Sequence, residues 1–312
     1  MTLRANKFQR NIFNYLGEDN DNDVSLRNFI RRKNKKVKKI VGVPHPFIKW
    51  AGGKKQLLEQ INKYLPKNFN KYLEPFIGGG ALFFYLLPNK AILIDNNEEL
   101  INCYRVIQNK IGELINSLKK HKNEKDYFYK IRSIDRNLVE FKKLSDVERA
   151  SRMIYLNRSC FNGLYRVNSK GEFNVPFGKY ENPKFCDKEN LLAVNTVLKD
   201  IQIINGDFKE CLELAEKDDF IYFDPPYQPI SATANFTSYT KENFNKEDQV
   251  RLFKVYEELD NRGCKVMLSN SYNEFILDLY KKYDLKTVHA KRAINSDASG
   301  RGQIKEVLII NY

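Results

Sequence analysis

Phe220-Ile221-Tyr222-Phe223 runs directly into Asp224-Pro225-Pro226-Tyr227, and this junction constrains the fold more than any other stretch of the 312 residues. Four consecutive apolar residues read as a short buried strand, as in a parallel sheet covered by helices. Two prolines, which lack an N–H and fix φ, stop it at once. The strand therefore delivers a carboxylate and a tyrosine to the carboxyl edge of a sheet, where α/β proteins bind ligands. Proline carbonyls at that edge remain free of local N–H partners. Such a site can accept both protons of one amino group and stack the planar ring that carries it. Methylating the amine of a nucleobase makes those demands. The plainer reading is a strand ending in a Pro-Pro turn that happens to carry an acid, since short motifs match by accident.

From Pro46 onward the pattern is α/β. Lys55 to Leu65 has helical spacing (Leu57, Leu58, Ile61, Leu65) and is stopped by Pro66. Tyr72 to Ile77 reads as a strand leading into Gly78-Gly79-Gly80. A helix over Ala81 to Leu87 and a strand from Ala91 to Ile94, ending at Asp95, come next. Strand, helix and strand within about 25 residues make a βαβ unit, the start of a doubly wound sheet. Alternation resumes at Ile201 to Ile204, Phe220 to Phe223, Lys265 to Leu268 and Glu306 to Ile310. Between the two halves, Glu98 to Leu118 and Val147 to Leu156 read as helices leading to a polar, Gly- and Asn-rich stretch from Asn157 to Tyr180. The predicted architecture is α/β, a doubly wound Rossmann-like sheet carrying an inserted, mostly helical domain. Residues 46–100 and 196–312 form the sheet domain, and 101–195 the insert. Residues 1–45 are a basic N-terminal extension, with four acids from Glu18 to Asp23 and eight basic residues from Arg27 to Lys39. Such a run reads as a solvated or disordered arm, able to grip phosphates without reading sequence.

The net charge of +14, from 53 basic and 39 acidic residues, favours a polyanionic partner, nucleic acid first. A lysine-rich solvated surface gives the same sum. Five cysteines (Cys103, Cys160, Cys186, Cys211, Cys264) and three histidines (His45, His121, His289) are scattered without metal-ligand spacing. No disulfide and no metal are expected. No apolar run approaches the roughly 20 residues of a membrane span, and Met1 to Phe13 lacks the core of a signal peptide. These features predict a cytoplasmic protein.

Two loops then suggest a cofactor site. In Glu74-Pro75-Phe76-Ile77-Gly78-Gly79-Gly80, glycines permit close backbone approach to a ligand, and a helix N-terminus faces the same crevice. Asp95, 17 residues after Gly78, is placed to accept from ribose hydroxyls. A dinucleotide enzyme uses similar geometry, but its GxGxxG fingerprint requires glycine where this chain has Phe83. The loop suits a nucleoside without phosphates, and S-adenosylmethionine is one. In Asn205-Gly206-Asp207-Phe208, Asp207 is a candidate acceptor for an adenine amino group, with Phe208 covering the ring. An ordinary N-cap at Asp207 explains the same residues.

Four blocks make the reading specific. PFIKWAGGKKQLL (46–58), EPFIGGGALFF (74–84), LNRSCFNGLYRVNSKGEFNVPFGKY (156–180) and FDPPYQPISATANFTSY (223–239) closely resemble the Dam-type, D12-class (alpha-group) DNA adenine-N6 methyltransferases, solitary and restriction-associated alike. The blocks stand in that family's order: cofactor loop, target-recognition domain, catalytic tetrapeptide. The resemblance covers residues 46–312, and residues 1–45 inherit nothing from it. It implies that Trp50, Lys54, Asp95 and Asp224 contact S-adenosylmethionine, with Phe76 and Gly78 shaping its pocket. It also implies that Lys49, Phe161, Asn162, Arg166 and Lys179 meet DNA. Phe161 stands where some relatives carry tyrosine, which keeps stacking and loses a hydroxyl contact. Arg166 suits bidentate recognition of guanine O6 and N7. An aromatic wedge helps to stabilise the gap left by an extruded base.

The implied reaction is methyl transfer from S-adenosylmethionine to adenine N6 in double-stranded DNA, within GATC. Asp224 and the Pro225 carbonyl accept the two amino protons and Tyr227 stacks on the flipped base. Nitrogen, methyl and sulfur must lie in line. No covalent intermediate is required. Phosphate contacts are expected from Ser231 to Tyr239 and from Arg292 and Arg301. The expected partners are duplex DNA and, in a restriction-modification setting, a nearby-encoded nuclease. The expected solution state is a monomer. RNA adenine methylation, a non-catalytic DNA-binding regulator on the same scaffold and a Rossmann oxidoreductase are the competing readings. Intact Asp95, Asp224 and Tyr227 oppose the regulator, and Phe83 opposes the oxidoreductase.

Overall fold

The computed structural model describes residues 42–227, 244–291 and 303–312. Expectations on residues 1–41, on Ser231 to Tyr239 and on Arg292 and Arg301 fall outside them. The described strands are β1 (Tyr72–Glu74), β2 (Ala91–Asp95), β3 (Gln202–Asn205), β4 (Phe220–Phe223), β5 (Lys265–Ser271), β6 (Asp284–Lys291) and β7 (Gln303–Ile310). They form one sheet in the order β3-β2-β1-β4-β5-β7-β6. Strands β1 to β5 are parallel, and β7 lies antiparallel between β5 and β6. The architecture is the expected α/β sheet. Winding goes outward from β1 through β2 and β3, then resumes on β1's other side with β4. The order therefore reverses between β1 and β4, and ligands of open α/β sheets bind at such a switch point.

Burial alternates along each strand because successive side chains face opposite sides of a sheet. Tyr72, Leu93, Phe220, Tyr222, Met267, Leu308 and Ile310 enter one apolar cluster. Leu73, Ile92, Ile94, Ile221, Phe223, Val266, Leu268, Val307 and Ile309 enter the other. Helices cover both faces, which is why Phe220–Phe223 is apolar throughout.

Helix starts follow local capping chemistry. Asn97 accepts from the Leu100 amide, and Ser145–Glu148 and Asn245–Asp248 form capping boxes. The helix expected over Lys55 to Leu65 is a 3-10 turn at Lys54–Gln56 and a short α-helix at Leu58–Asn62. The helix expected over Glu98 to Leu118 breaks at Lys110, whose φ of −133° is not helical. Strand β6 lacked a legible signal, because Asp284, Lys286 and His289 interrupt the apolar pattern on both faces of an outer strand.

Between β2 and β3 the chain carries its own third cluster, built from Phe128, Tyr155, Leu156, Cys160, Phe173 and Val175. The helices Glu98–Asn109 and Lys188–Leu198 pack mainly into the first sheet cluster, and the expected insert boundaries at 100/101 and 195/196 fall within them. The helix Asp146–Ser159 contributes to both cores, so sheet and insert share one structural element.

Candidate active site

Register brings the two loops together. Tyr72 pairs with Phe220 and Leu73 with Ile221, so Glu74 ends β1 level with Tyr222, one residue before β4 ends and three before the first proline. Asp224 emerges at the switch point on the side of Tyr222, where it meets Lys54. The Lys54 ammonium lies 2.6 Å from Asp224 Oδ1 and donates to the Gly52 carbonyl at 2.8 Å. Lys54 is only 3% exposed, so it is a buried partner rather than a surface charge. Burial pushes the Asp224 carboxyl up to about 6, against the opposing pull of Lys54.

The prolines divide their carbonyls between two tasks. Gln249 Nε2 donates to the Pro226 carbonyl at 3.2 Å and is itself held by Asn270 Nδ2 at 3.0 Å, all within a buried polar chain. Among the described residues, no donor meets the Pro225 carbonyl beside Asp224. Tyr227 follows, with the Lys54 ammonium 4.6 Å from its ring centroid and its hydroxyl donating to Glu306 on β7. Burial first, then the neighbouring Asp224 and Glu306, holds the Tyr227 phenol well above its ordinary range. It stays a donor.

Across the switch point, Asp95 accepts from the Gly78 amide through Oδ2 and from the Asn97 amide through Oδ1, both at 3.0 Å. Burial still raises its carboxyl to about 6. Burial likewise pushes Glu74 well up, although Tyr72 donates to it at 2.7 Å. Gly78 has φ of +46°, and a Cβ there would stand 2.7 Å from the Trp50 ring, so glycine is required on both counts. Trp50 in turn stacks on Tyr165 of the insert, with centroids 5.1 Å apart and planes at 17°. Phe76 stacks on Phe208 at 5.4 Å. Phe208 is buried with the Arg251 guanidinium 4.4 Å from its ring, so covering a ligand's ring requires these neighbours to part. Asp207 does cap the turn Phe208–Glu210, and Arg251 NH1 reaches both its oxygens at 2.9 Å.

The expected DNA contacts gather around the end of the helix Asp146–Ser159. Asn157, fully buried, accepts from the Lys49 amide and donates to the Lys49 and Gly163 carbonyls. Arg158 donates to the Phe47 and Pro46 carbonyls. Phe161 is 54% exposed at the start of a turn in which Asn162 has φ of +58°. The exposed Lys49 carries its ammonium 5.5 Å from the Tyr180 ring. Arg166 stands on a hairpin closed by the Val167–Phe173 bridge, and its Nε donates to Asn174 Oδ1 at 2.8 Å. The exposed Lys179 adopts φ of +54°. Lys49, Trp50 and Lys54 thus lie on one short segment that links this loop cluster to Asp224.

Sequence reasoning missed Glu306, Gln249, Tyr165 and Asn157. Glu306 had a signal: it occupies the inward row of Leu308 and Ile310, where an acid is out of place unless paired. Among the described residues, no cluster of His, Cys, Asp and Glu is arranged to hold a metal, and no helix is long and apolar enough to cross a membrane. All five cysteines are unpaired.

A largely parallel sheet with a glycine loop, a buried acid at the end of β2 and an Asp-Pro-Pro-Tyr edge at its switch point fits a Rossmann-like methyltransferase fold. Comparison with known proteins narrows the class. Residues 50–294 match the D12 class N6 adenine-specific DNA methyltransferase family, and the chain belongs to it. It is 48% identical over 271 residues to the type II methyltransferase M1.LlaDCHI of Lactococcus lactis subsp. cremoris, covering 86% of this chain and 95% of that protein. It is 47% identical over 288 residues to the type II methyltransferase M.MjaIII of Methanocaldococcus jannaschii, covering 86% of this chain and 99% of that one. The DNA adenine methylase of Escherichia coli K12 is 34% identical over 269 residues, with 85% and 94% covered.

Proposed function

We propose that the protein transfers a methyl group from S-adenosylmethionine to N6 of an adenine flipped out of duplex DNA, within GATC. The observation that carries this reading is that Lys54 meets both the Asp224 carboxylate, at 2.6 Å, and the Tyr227 ring, at 4.6 Å, on the Asp-Pro-Pro-Tyr edge at the end of β4. The crevice fits the cofactor by charge. Buried Asp95, Asp224 and Glu74 all carry raised carboxyls, which a cationic ligand relieves. Trp50, Phe76, Gly78, Asp95, Asp207 and Phe208 are the residues to hold its nucleoside, with Lys54 and Asp224 at the reacting end. When bound, S-adenosylmethionine supplies a methyl group already activated by the sulfonium charge.

The chain's own contribution is positioning. Adenine's exocyclic nitrogen is a poor nucleophile because its lone pair is delocalised into the ring. Asp224 and the Pro225 carbonyl accept its two protons, which favours a pyramidal nitrogen with a localised pair. Tyr227 stacks on the base through the ring face that Lys54 leaves open. Phe161 enters the duplex, Arg166 reads a base edge, and Lys49, Asn162 and Lys179 set the docking. The names of the two type II relatives support a restriction-modification setting, with a companion nuclease encoded nearby. We assign the active form as a monomer.

Mapping modified adenines in the DNA of cells that lack adenine methylation, after expression of this protein, tests the reading. Methylation at GATC is expected. A map without modified adenines removes the activity, and one centred on another tetranucleotide removes GATC alone. Asp224→Ala is expected to keep measurable cofactor binding and to slow methyl transfer by about a thousandfold or more.

A further inference from the structure

Tyr227 needs an external hold. It follows two prolines and lies in no helix or strand. A ring on such a segment keeps a fixed plane only through its side-chain contacts. Two are present. Lys54 occupies one face, with its ammonium 4.6 Å from the centroid, and Glu306 accepts from the hydroxyl at the ring's far end.

Glu306 stands within a strand, as Tyr227 does not. It pairs with Ser271 of β5 and Val288 of β6, so its backbone is fixed on both sides. Its row-mates Leu308 and Ile310 are core residues, and its own side chain is 13% exposed. A carboxylate in that row costs free energy unless it is paired, and the Tyr227 hydroxyl with Lys54 at 4.0 Å supplies the pairing.

We propose that Glu306 is a positioning residue for methyl transfer: by accepting the Tyr227 hydroxyl it sets the plane of the ring on which the target adenine stacks. The proposal rests on the reading of Tyr227 as the stacking ring. It assigns β7, antiparallel and distant in sequence from the Asp-Pro-Pro-Tyr edge, a direct part in orienting the base.

A second consequence concerns the charge around Asp224. The charged and titratable groups facing it are Lys54, Glu306 and Glu74, with the phenols of Tyr72, Tyr222 and Tyr227. Removing the negative charge of Glu306 makes it easier to ionise Asp224. The acid limb of the pH profile then moves to lower pH, a change that loss of packing alone does not produce.

The test uses the full-length protein and a duplex with one target site, measuring single-turnover methylation, cofactor Kd and thermal midpoint. In Glu306→Ala and Tyr227→Phe the transfer rate is expected to fall about 10- to 100-fold, with cofactor Kd within about threefold. The double variant is expected to be no slower than either single, because both remove one bond. Glu306→Gln keeps an acceptor for the hydroxyl. It is expected to recover most of the loss and to show the lowered acid limb. Normal turnover by both Glu306→Ala and Tyr227→Phe, or losses that multiply in the double variant, overturns the proposal. Should Glu306→Ala not fold, Glu306→Gln and Tyr227→Phe decide by the same criteria. Tyr227→Ala separates this from the underlying reading. Normal turnover there removes the stacking role itself, whereas impaired Tyr227→Ala beside normal Glu306→Ala and Tyr227→Phe removes only the part given to Glu306.

Discussion

Lys54 pairs with Asp224, the acid to which the proposed reading gives the target amine. Burial raises the Asp224 carboxyl to about 6, and Lys54 is the main influence holding it down. Asp224 must be ionised to accept from the amine, so turnover is expected to fall as pH drops through the range of that group. Lys54→Met removes the opposing cation. The acid limb of kcat/KM, followed from about pH 5 to 8 at saturating cofactor, should then move to higher pH. An unchanged limb would show that another group sets it. The place of Asp224, Pro225 and Tyr227 at a strand's end was legible because an apolar run stopped by two prolines reads as a buried strand cut short. Lys54 was legible only by resemblance, since a lysine in a Gly-Gly-Lys-Lys stretch ordinarily faces water. Glu306 went unread because its partner lies 79 residues away in sequence, and only the sheet order brings them together.

At the level of elements, the helix Asp146–Ser159 joins the loop proposed to meet DNA to the segment that carries Lys49 and Lys54. Its Asn157 side chain holds the Lys49 backbone on one side and the Gly163 carbonyl on the other. Asn157→Ala leaves those groups without partners, and each such loss at a buried site costs about 1–3 kcal/mol. Chemical denaturation should register the loss of stability. Duplex affinity is expected to fall more than cofactor affinity, because the wedge turn is the part released. Equal losses for both ligands would argue against this division. The βαβ opening and the α/β sheet were legible in periodicity. Helix ends were not, because the break at Lys110 and the 3-10 turn at Lys54–Gln56 depend on packing rather than on propensity. Strand β6 was invisible for a related reason: an outer strand needs fewer apolar residues than a central one.

For the whole molecule, proton binding pulls stability in two directions. Asp95 and Asp224 carry carboxyls raised to about 6, so the stability they contribute is full at acid pH, below their unfolded values, and is lost as pH rises through about 6. His121 behaves oppositely. Burial between Tyr155, Tyr127 and Ser151 lowers it to about 4, so its contribution is full above its unfolded value near 6.5 and is lost as pH falls toward about 4. His121→Gln removes only the second effect. Relative to the unmodified protein, its melting midpoint should therefore rise on acidification from about pH 7 to 5. A difference independent of pH would place the titrating group elsewhere. The placement of β7 has a consequence for synthesis. Gln303–Ile310 fills an interior slot between two strands made before it, and the same strand brings Glu306 to Tyr227. A nascent chain that has left the ribosome only as far as β6 has an open seam beside β5 and an unbraced ring.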